Sequence, residues 1–222
     1  PTRMTELRPI IFCNVGYKII SKVLCQRLKV CFPSLISETQ SAFIPGRLIS
    51  DNILIAQEMF HGLRTNKSCQ DKFLAIKTDM SKAYDRVEWV FIQKLLTKMG
   101  FDYHWIQLMM ECISSVQYRV LLNGQPKGHI IPQRGLRQED PLSPYLFIMC
   151  TEALVANIKK AERNKQLTGL KVARACPPIS HLLFTDDSLF FCKAQKEECQ
   201  TIIRILKEYE GVSGQQINFK KS

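Results

Sequence analysis

Three aspartates stand where apolar runs end. Asp79 closes F-L-A-I-K-T-D (Phe73 to Asp79), and Asp186 and Asp187 lie in the middle of L-L-F-T-D-D-S-L-F-F (Leu182 to Phe191). An apolar strand that delivers one carboxylate, with a hairpin that holds two more at its tip, sets hard oxygen ligands around divalent cations. Two ions held in this way are what two-metal phosphoryl transfer requires. An Asp-Asp pair by itself is an ordinary turn feature. Here Leu182, Leu183, Phe184, Leu189, Phe190 and Phe191 bury both arms, so the carboxylates sit at the rim of a core. Crowding them there is costly unless a cation neutralises them.

The elements that must position these groups follow from periodicity. Ile20, Leu24 and Leu28 repeat at helical spacing between Asn14 and Cys31, and Pro33 is expected to end that helix. Ser50-Asp51 reads as the N-cap of a second helix running to about Leu63. Phe73 to Thr78 is short and apolar throughout, as a central strand is. Val87, Phe91, Leu95 and Met99 mark a helix stopped at Gly100, and Trp105, Leu108, Met109 and Cys112 mark another after Asp102. Alternation from Val116 to Leu122 followed by Asn123-Gly124 predicts a hairpin with its return strand near Lys127 to Ile131. Ser143 and Pro144 read as N-cap and first residue of a long helix through about Ala161, packed beneath the acidic hairpin. That hairpin spans Ile179 to Cys192, and a final amphipathic helix carries Ile202, Ile203 and Leu206 and ends near Gly211. Helices, strand, helices, hairpin, helix, hairpin, helix is an α+β order.

Composition narrows the classes. The 222 residues are 45% hydrophobic and 23% charged, ordinary globular material with no low-complexity tract or internal repeat. The net charge is +11. In the first fifty residues Arg3, Arg8, Lys18, Lys22, Arg27, Lys29 and Arg47 face only Glu6 and Glu38, a balance that suits a polyanionic partner. Nine scattered cysteines contain no C-x-x-C, so neither a zinc site nor a disulfide framework is indicated and a reducing compartment is expected. No apolar run approaches the ~18 residues of a membrane span, and the first residues are not a signal peptide. The expected setting is intracellular, nuclear or cytoplasmic, with no membrane partner.

Several stretches carry a resemblance in the same order. D-M-S-K-A-Y-D-R-V at 79–87, G-L-R-Q-E-D-P-L-S-P-Y-L-F at 135–147, F-T-D-D at 184–187 and S-G-Q-Q-I-N-F-K-K-S at 213–222 resemble the reverse transcriptase domain of non-LTR retrotransposons, particularly plant long interspersed elements. L-R-P-I at 7–10 and Q-S-A-F-I-P-G-R at 40–47 extend the likeness to essentially the whole chain. The resemblance implies an α+β fold built as the fingers and palm subdomains of a right-hand polymerase. Its antiparallel palm sheet would pack on helices, with the thumb absent. Residues 1–222 would be one domain fragment, about 1–72 fingers-like and 73–222 mainly palm.

The activity implied is RNA-directed DNA synthesis. The partners would be an RNA template, a DNA primer and dNTPs, and the cofactor two Mg²⁺ ions, with Mn²⁺ as a substitute. By resemblance, Asp79, Asp186 and Asp187 are the catalytic metal ligands, and Tyr84 lies under the incoming sugar and excludes a 2′-hydroxyl. Gln138 would contact template and nucleotide, Arg47 the triphosphate, and Lys221 the pyrophosphate. Two positions depart from the pattern: Glu139 replaces the usual Gly of R-Q-G-D-P, and Thr185 the usual Ala before the Asp pair. Glu139 adds bulk and negative charge near a triphosphate site, so the alternative reading is an impaired copy that only binds nucleic acid.

Overall fold

The computed structural model describes residue 11 and residues 13–218. L-R-P-I at 7–10 and Lys221 lie outside the described residues. Helix α1 (Val15–Leu35) starts where the Asn14 side chain accepts the Tyr17 N–H at 2.7 Å. It runs through Pro33 rather than stopping there. The proline falls in the last turn, and Ile36, three residues beyond it, still donates to the Phe32 carbonyl. Helix α2 (Ile49–Thr65) begins slightly earlier than expected, because Asp51 acts from inside the first turn by accepting the Leu48 N–H.

Strand β1 (Phe73–Asp79) is followed by a single turn, α3 (Ala83–Arg86), which periodicity did not foresee. Then come α4 (Trp89–Lys98) and α5 (Tyr103–Ser114), the latter starting after Asp102 as predicted, with the Asp102 side chain as its cap. Strands β2 (Tyr118–Leu122) and β3 (Gln125–Ile130) form a separate hairpin turned at Asn123 and Gly124, both with positive φ. The return strand therefore starts two residues before the expected Lys127. Helix α6 (Ser143–Arg163), strands β4 (His181–Phe184) and β5 (Asp187–Lys193), and helix α7 (Lys196–Ser213) complete the chain.

The main sheet has the order β1-β5-β4 and is antiparallel throughout. Its two faces meet different helices. Leu74, Ile76, Phe190 and Cys192 enter the large core with α1, α4, α5, α6 and α7, whereas Phe73, Ala75, Leu189 and Phe191 pack with Met59 and Leu63 of α2. The pattern explains the unbroken apolar runs seen in sequence. A strand covered on both sides has no polar face to show.

Helix α6 is the centre of the large core. Tyr145 through Thr151 are all buried, so this helix presents no solvent face along two turns. Its start differs from expectation. Ser143 lies in the helix and Leu142 is the N-cap; just before them Asp140, 3% exposed, accepts from Leu142 N–H at 3.2 Å and from Ser143 Oγ at 3.4 Å. The same carboxylate accepts from Tyr17 Oη at 2.6 Å and Ser21 Oγ at 2.5 Å, which fastens α1 to α6. Burial and the bond to Asp140 push the Tyr17 phenol well above its ordinary range.

Candidate active site

Asp79 ends β1 and Asp186 lies in the hairpin turn, as the sequence suggests, but Asp187 does not lie at the tip. Thr185 and Asp186 form the two-residue turn between β4 and β5, but Asp187 is already in the ladder, paired with Phe184 on one side and with Asp79 on the other. Only one carboxylate sits at the tip. The second faces β1 directly, because alternation puts Lys77, Asp79 and Asp187 on the sheet face that α2 covers further along. The apolar cover ends at Ala75 and Leu189, and the polar end of the same face opens to solvent.

Like charges set directly opposite in a ladder repel. Two neighbours moderate this. Lys77 Nζ lies 3.2 Å from Asp187 Oδ1, and Asn218 Nδ2 donates to Asp79 Oδ2 at 3.2 Å. The Asn218 contact belongs to a longer strap. Residues 213–218 run antiparallel beside 79–88: Asn218 N–H donates to Asp79 O, Ser81 N–H to Gln216 O, Gln215 Nε2 to Ala83 O and Glu88 N–H to Ser213 O. This places S-G-Q-Q-I-N against D-M-S-K-A-Y-D, two motifs far apart in sequence. Among the described residues, no three Asp, Glu, His or Cys side chains already converge closely enough to hold an ion. The donors available are all carboxylate oxygens, which match Mg²⁺ or Mn²⁺ rather than a softer metal.

Tyr84 follows on the turn after β1. Its ring stacks on Phe147 of α6, with centroids 4.9 Å apart and 14° between planes. Burial, and next the Asp186 carboxylate, push its phenol up to about 12, so the hydroxyl stays protonated at neutral pH. Gln138 stands on the R-G-L-R-Q-E-D loop and donates from Nε2 to Asp85 Oδ1 at 3.2 Å. Asp186, Tyr84 and Gln138 thus gather around the turn that follows β1.

Arg47 is engaged elsewhere. Its guanidinium donates to the carbonyls of Ser37, Gln40 and Ile36 at 2.5, 2.7 and 2.8 Å, closing the chain end of α1. All three bonds go to backbone of the same loop, and the reason is geometric: the S-A-F-I-P-G turn folds residue 47 back over residues 36–40. Glu139 has a left-handed backbone (φ 61) and an exposed side chain. Thr185 is left-handed too (φ 51), as a tight hairpin turn demands. Sequence reading missed Asp140 and the strap. Nothing local announces that Asp140 ties α1 to α6 or that 213–218 lies beside 79–88.

The fold and this cluster of carboxylates on a sheet packed against helices define a class. The profile of the reverse transcriptase (RNA-dependent DNA polymerase) family matches residues 1–222, and the chain belongs to that family. Among curated relatives, an uncharacterized mitochondrial protein of Arabidopsis thaliana is 52% identical over 68 residues, 31% of this chain and 56% of that protein. The transposon TX1 uncharacterized 149 kDa protein of Xenopus laevis is 27% identical over 97% of this chain, but only 16% of its own length is matched. A Pol polyprotein from the type-1 retrotransposable element R2 of Popillia japonica is 22% identical over 97% of this chain and 29% of its own length. The chain thus spans from about a sixth to just over half of these relatives. Among solved structures, a telomerase from Candida tropicalis superposes with a TM-score of 0.63 at 13% identity, over 91% of this chain and 32% of that one. A telomerase from Candida albicans gives 0.60 at 15% identity, over 93% and 33%. These two likenesses concern the fold alone.

Proposed function

We propose that the chain is the fingers and palm portion of an RNA-directed DNA polymerase, with residues 1–72 mainly fingers and 73–222 mainly palm. The observation that carries this is the register of Asp79 against Asp187, with Asp186 one residue away in the turn and Tyr84 within its electrostatic reach. Asp79, Asp186 and Asp187 would hold two Mg²⁺ or Mn²⁺ ions. Bound there, the ions supply activation of the primer 3′-hydroxyl and neutralisation of the triphosphate.

The chain's own residues do the rest. Tyr84, braced from behind by Phe147, offers a protonated, immobile ring edge to the sugar and disfavours an added 2′-hydroxyl. Gln138 supplies an amide to the nucleotide or template. The basic excess binds template and primer phosphates without reading sequence, so affinity falls as salt rises. The Candida tropicalis telomerase, whose structure is in complex with a fragment of telomeric RNA, supports a nucleic-acid partner for this fold. Arg47 as a triphosphate contact requires it to leave three carbonyls.

The second reading, a copy that binds nucleic acid but does not synthesise, is favoured by Glu139, whose exposed carboxylate and left-handed backbone stand next to Gln138. Extension of a labelled primer on an RNA template with dNTPs and Mg²⁺ separates the two. Synthesis that is abolished by Asp79→Ala and Asp186→Ala supports the polymerase. Template binding without synthesis, unrelieved in Glu139→Gly, supports the binder.

A further inference from the structure

Gln138 and Tyr84 are 54 residues apart in sequence, yet the backbones of the segments that carry them are bonded to each other. Leu136 N–H donates to the Tyr84 carbonyl at 2.7 Å and Gly135 N–H to the Val87 carbonyl at 2.8 Å. The Trp89 indole Nε1–H donates to the Gly135 carbonyl at 2.7 Å, and Asp85 Oδ1 accepts from Gln138 Nε2. The approach is so close that a Cβ on Gly135 would lie 2.8 Å from the Asp85 carbonyl oxygen, and Gly135 has φ +92. Below the join, Leu136 is buried and Trp89 packs on the large core.

We propose that Asp85 and Trp89 are positioning residues that splint the Gln138 loop to the Tyr84 turn, so that both approach an incoming nucleotide as one rigid piece. This deepens the nucleotide-site reading given above and rests on it. The physical logic is that a loop held at both edges loses little further freedom when a nucleotide binds. Trp89 holds one edge through Gly135, and Asp85 holds the other through Gln138. Neither residue needs to touch the nucleotide.

Two measurements test the splint. Amide hydrogen exchange in the nucleotide-free protein reads it without any activity: Trp89→Phe, which keeps an aromatic ring but removes the donor, is expected to speed exchange at Gly135 and Leu136 by about tenfold. Steady-state primer extension reads its effect on substrate: Asp85→Ala and Trp89→Phe each raise the KM for dNTP about fivefold with kcat changed by less than about twofold, and Asp85→Asn, which keeps an Oδ1 acceptor, restores the native KM. Exchange at the native rate in Trp89→Phe overturns the proposal. So does a KM unchanged in Asp85→Ala, an exposed site where misfolding is not a concern. If the native chain extends no primer, the polymerase reading fails by itself, and exchange still decides whether the splint exists.

Discussion

Lys77 reaches along the β1–β5 ladder to Asp187, bringing an ammonium to 3.2 Å from a carboxylate that directly faces Asp79. Both partners are more than half exposed (60% and 51%), so the pair contributes at most about 1 kcal/mol. Its charge stands where bound ions would relieve the same repulsion. Lys77→Met is therefore expected to cost less than about 1 kcal/mol without metal and to enlarge the stabilisation gained on adding Mg²⁺. Urea midpoints measured with and without Mg²⁺ give both numbers, and an equal Mg²⁺ gain in the two proteins removes Lys77 from this role.

Glu139 holds a left-handed backbone that costs a residue with a Cβ about 1 kcal/mol or more. Glu139→Gly should raise stability by about that amount, less the entropy that glycine adds to the unfolded chain. If the exposed carboxylate also repels a triphosphate, the same variant lowers the KM for dNTP. A rise in the denaturation midpoint without a change in KM would assign Glu139 to strain alone.

Asp140 joins α1 to α6 through Tyr17, Ser21, Leu142 and Ser143. Asp140→Ala strands the Tyr17 hydroxyl and the Ser21 hydroxyl in a buried place and should cost about 3 kcal/mol or more. Asp140→Asn keeps one oxygen acceptor and should cost less. Equal losses in the two variants would mean that packing, and not the hydrogen bonds, fastens the helices.

His181 sets a pH dependence. It is 2% exposed, with its ring nitrogens 2.8 Å from Thr39 Oγ1 and Ser180 Oγ. Burial, and next the Lys159 charge, lower its pKa to about 4. Because the folded state takes up the proton less readily than the unfolded chain, stability is full above the ordinary histidine pKa near 6.5. It declines as pH falls from there toward 4, with about 2 kcal/mol lost by pH 5. Urea titrations at pH 7.5 and pH 5 measure it, and His181→Gln should flatten this part of the profile.

Much of the main sheet and its central helix is written locally. The apolar run before Asp79, the two apolar arms around Asp186-Asp187 and the Ser143-Pro144 helix start each depend on a few neighbouring residues, and each appears close to where periodicity puts it. What escaped depends on partners distant in the chain. Asp187 looks like a turn residue until β1 is set beside it, because a two-residue loop at Thr185 and Asp186 leaves 187 in the ladder. Arg47 looks like a free loop cation until the turn before it brings three carbonyls within reach. Asp140 and Trp89 carry no catalytic pattern, so their bonds to Tyr17 and Gly135 are visible only in three dimensions.

The strap along 213–218 orders events during synthesis of the chain. Once Asp79 has left the ribosome, its ladder partner Asp187 follows by more than a hundred residues, and Asn218, which bonds both its carbonyl and its carboxylate, follows by 139. Translation feeds residues out from the N-terminus, so the acidic site cannot be built when β1 emerges and waits for both later segments. A message broken between α6 and that strap still encodes every helix through α6 but omits the bonds that residues 213–218 make to 79–88, and a nascent chain holds no finished carboxylate site until residue 218 has emerged.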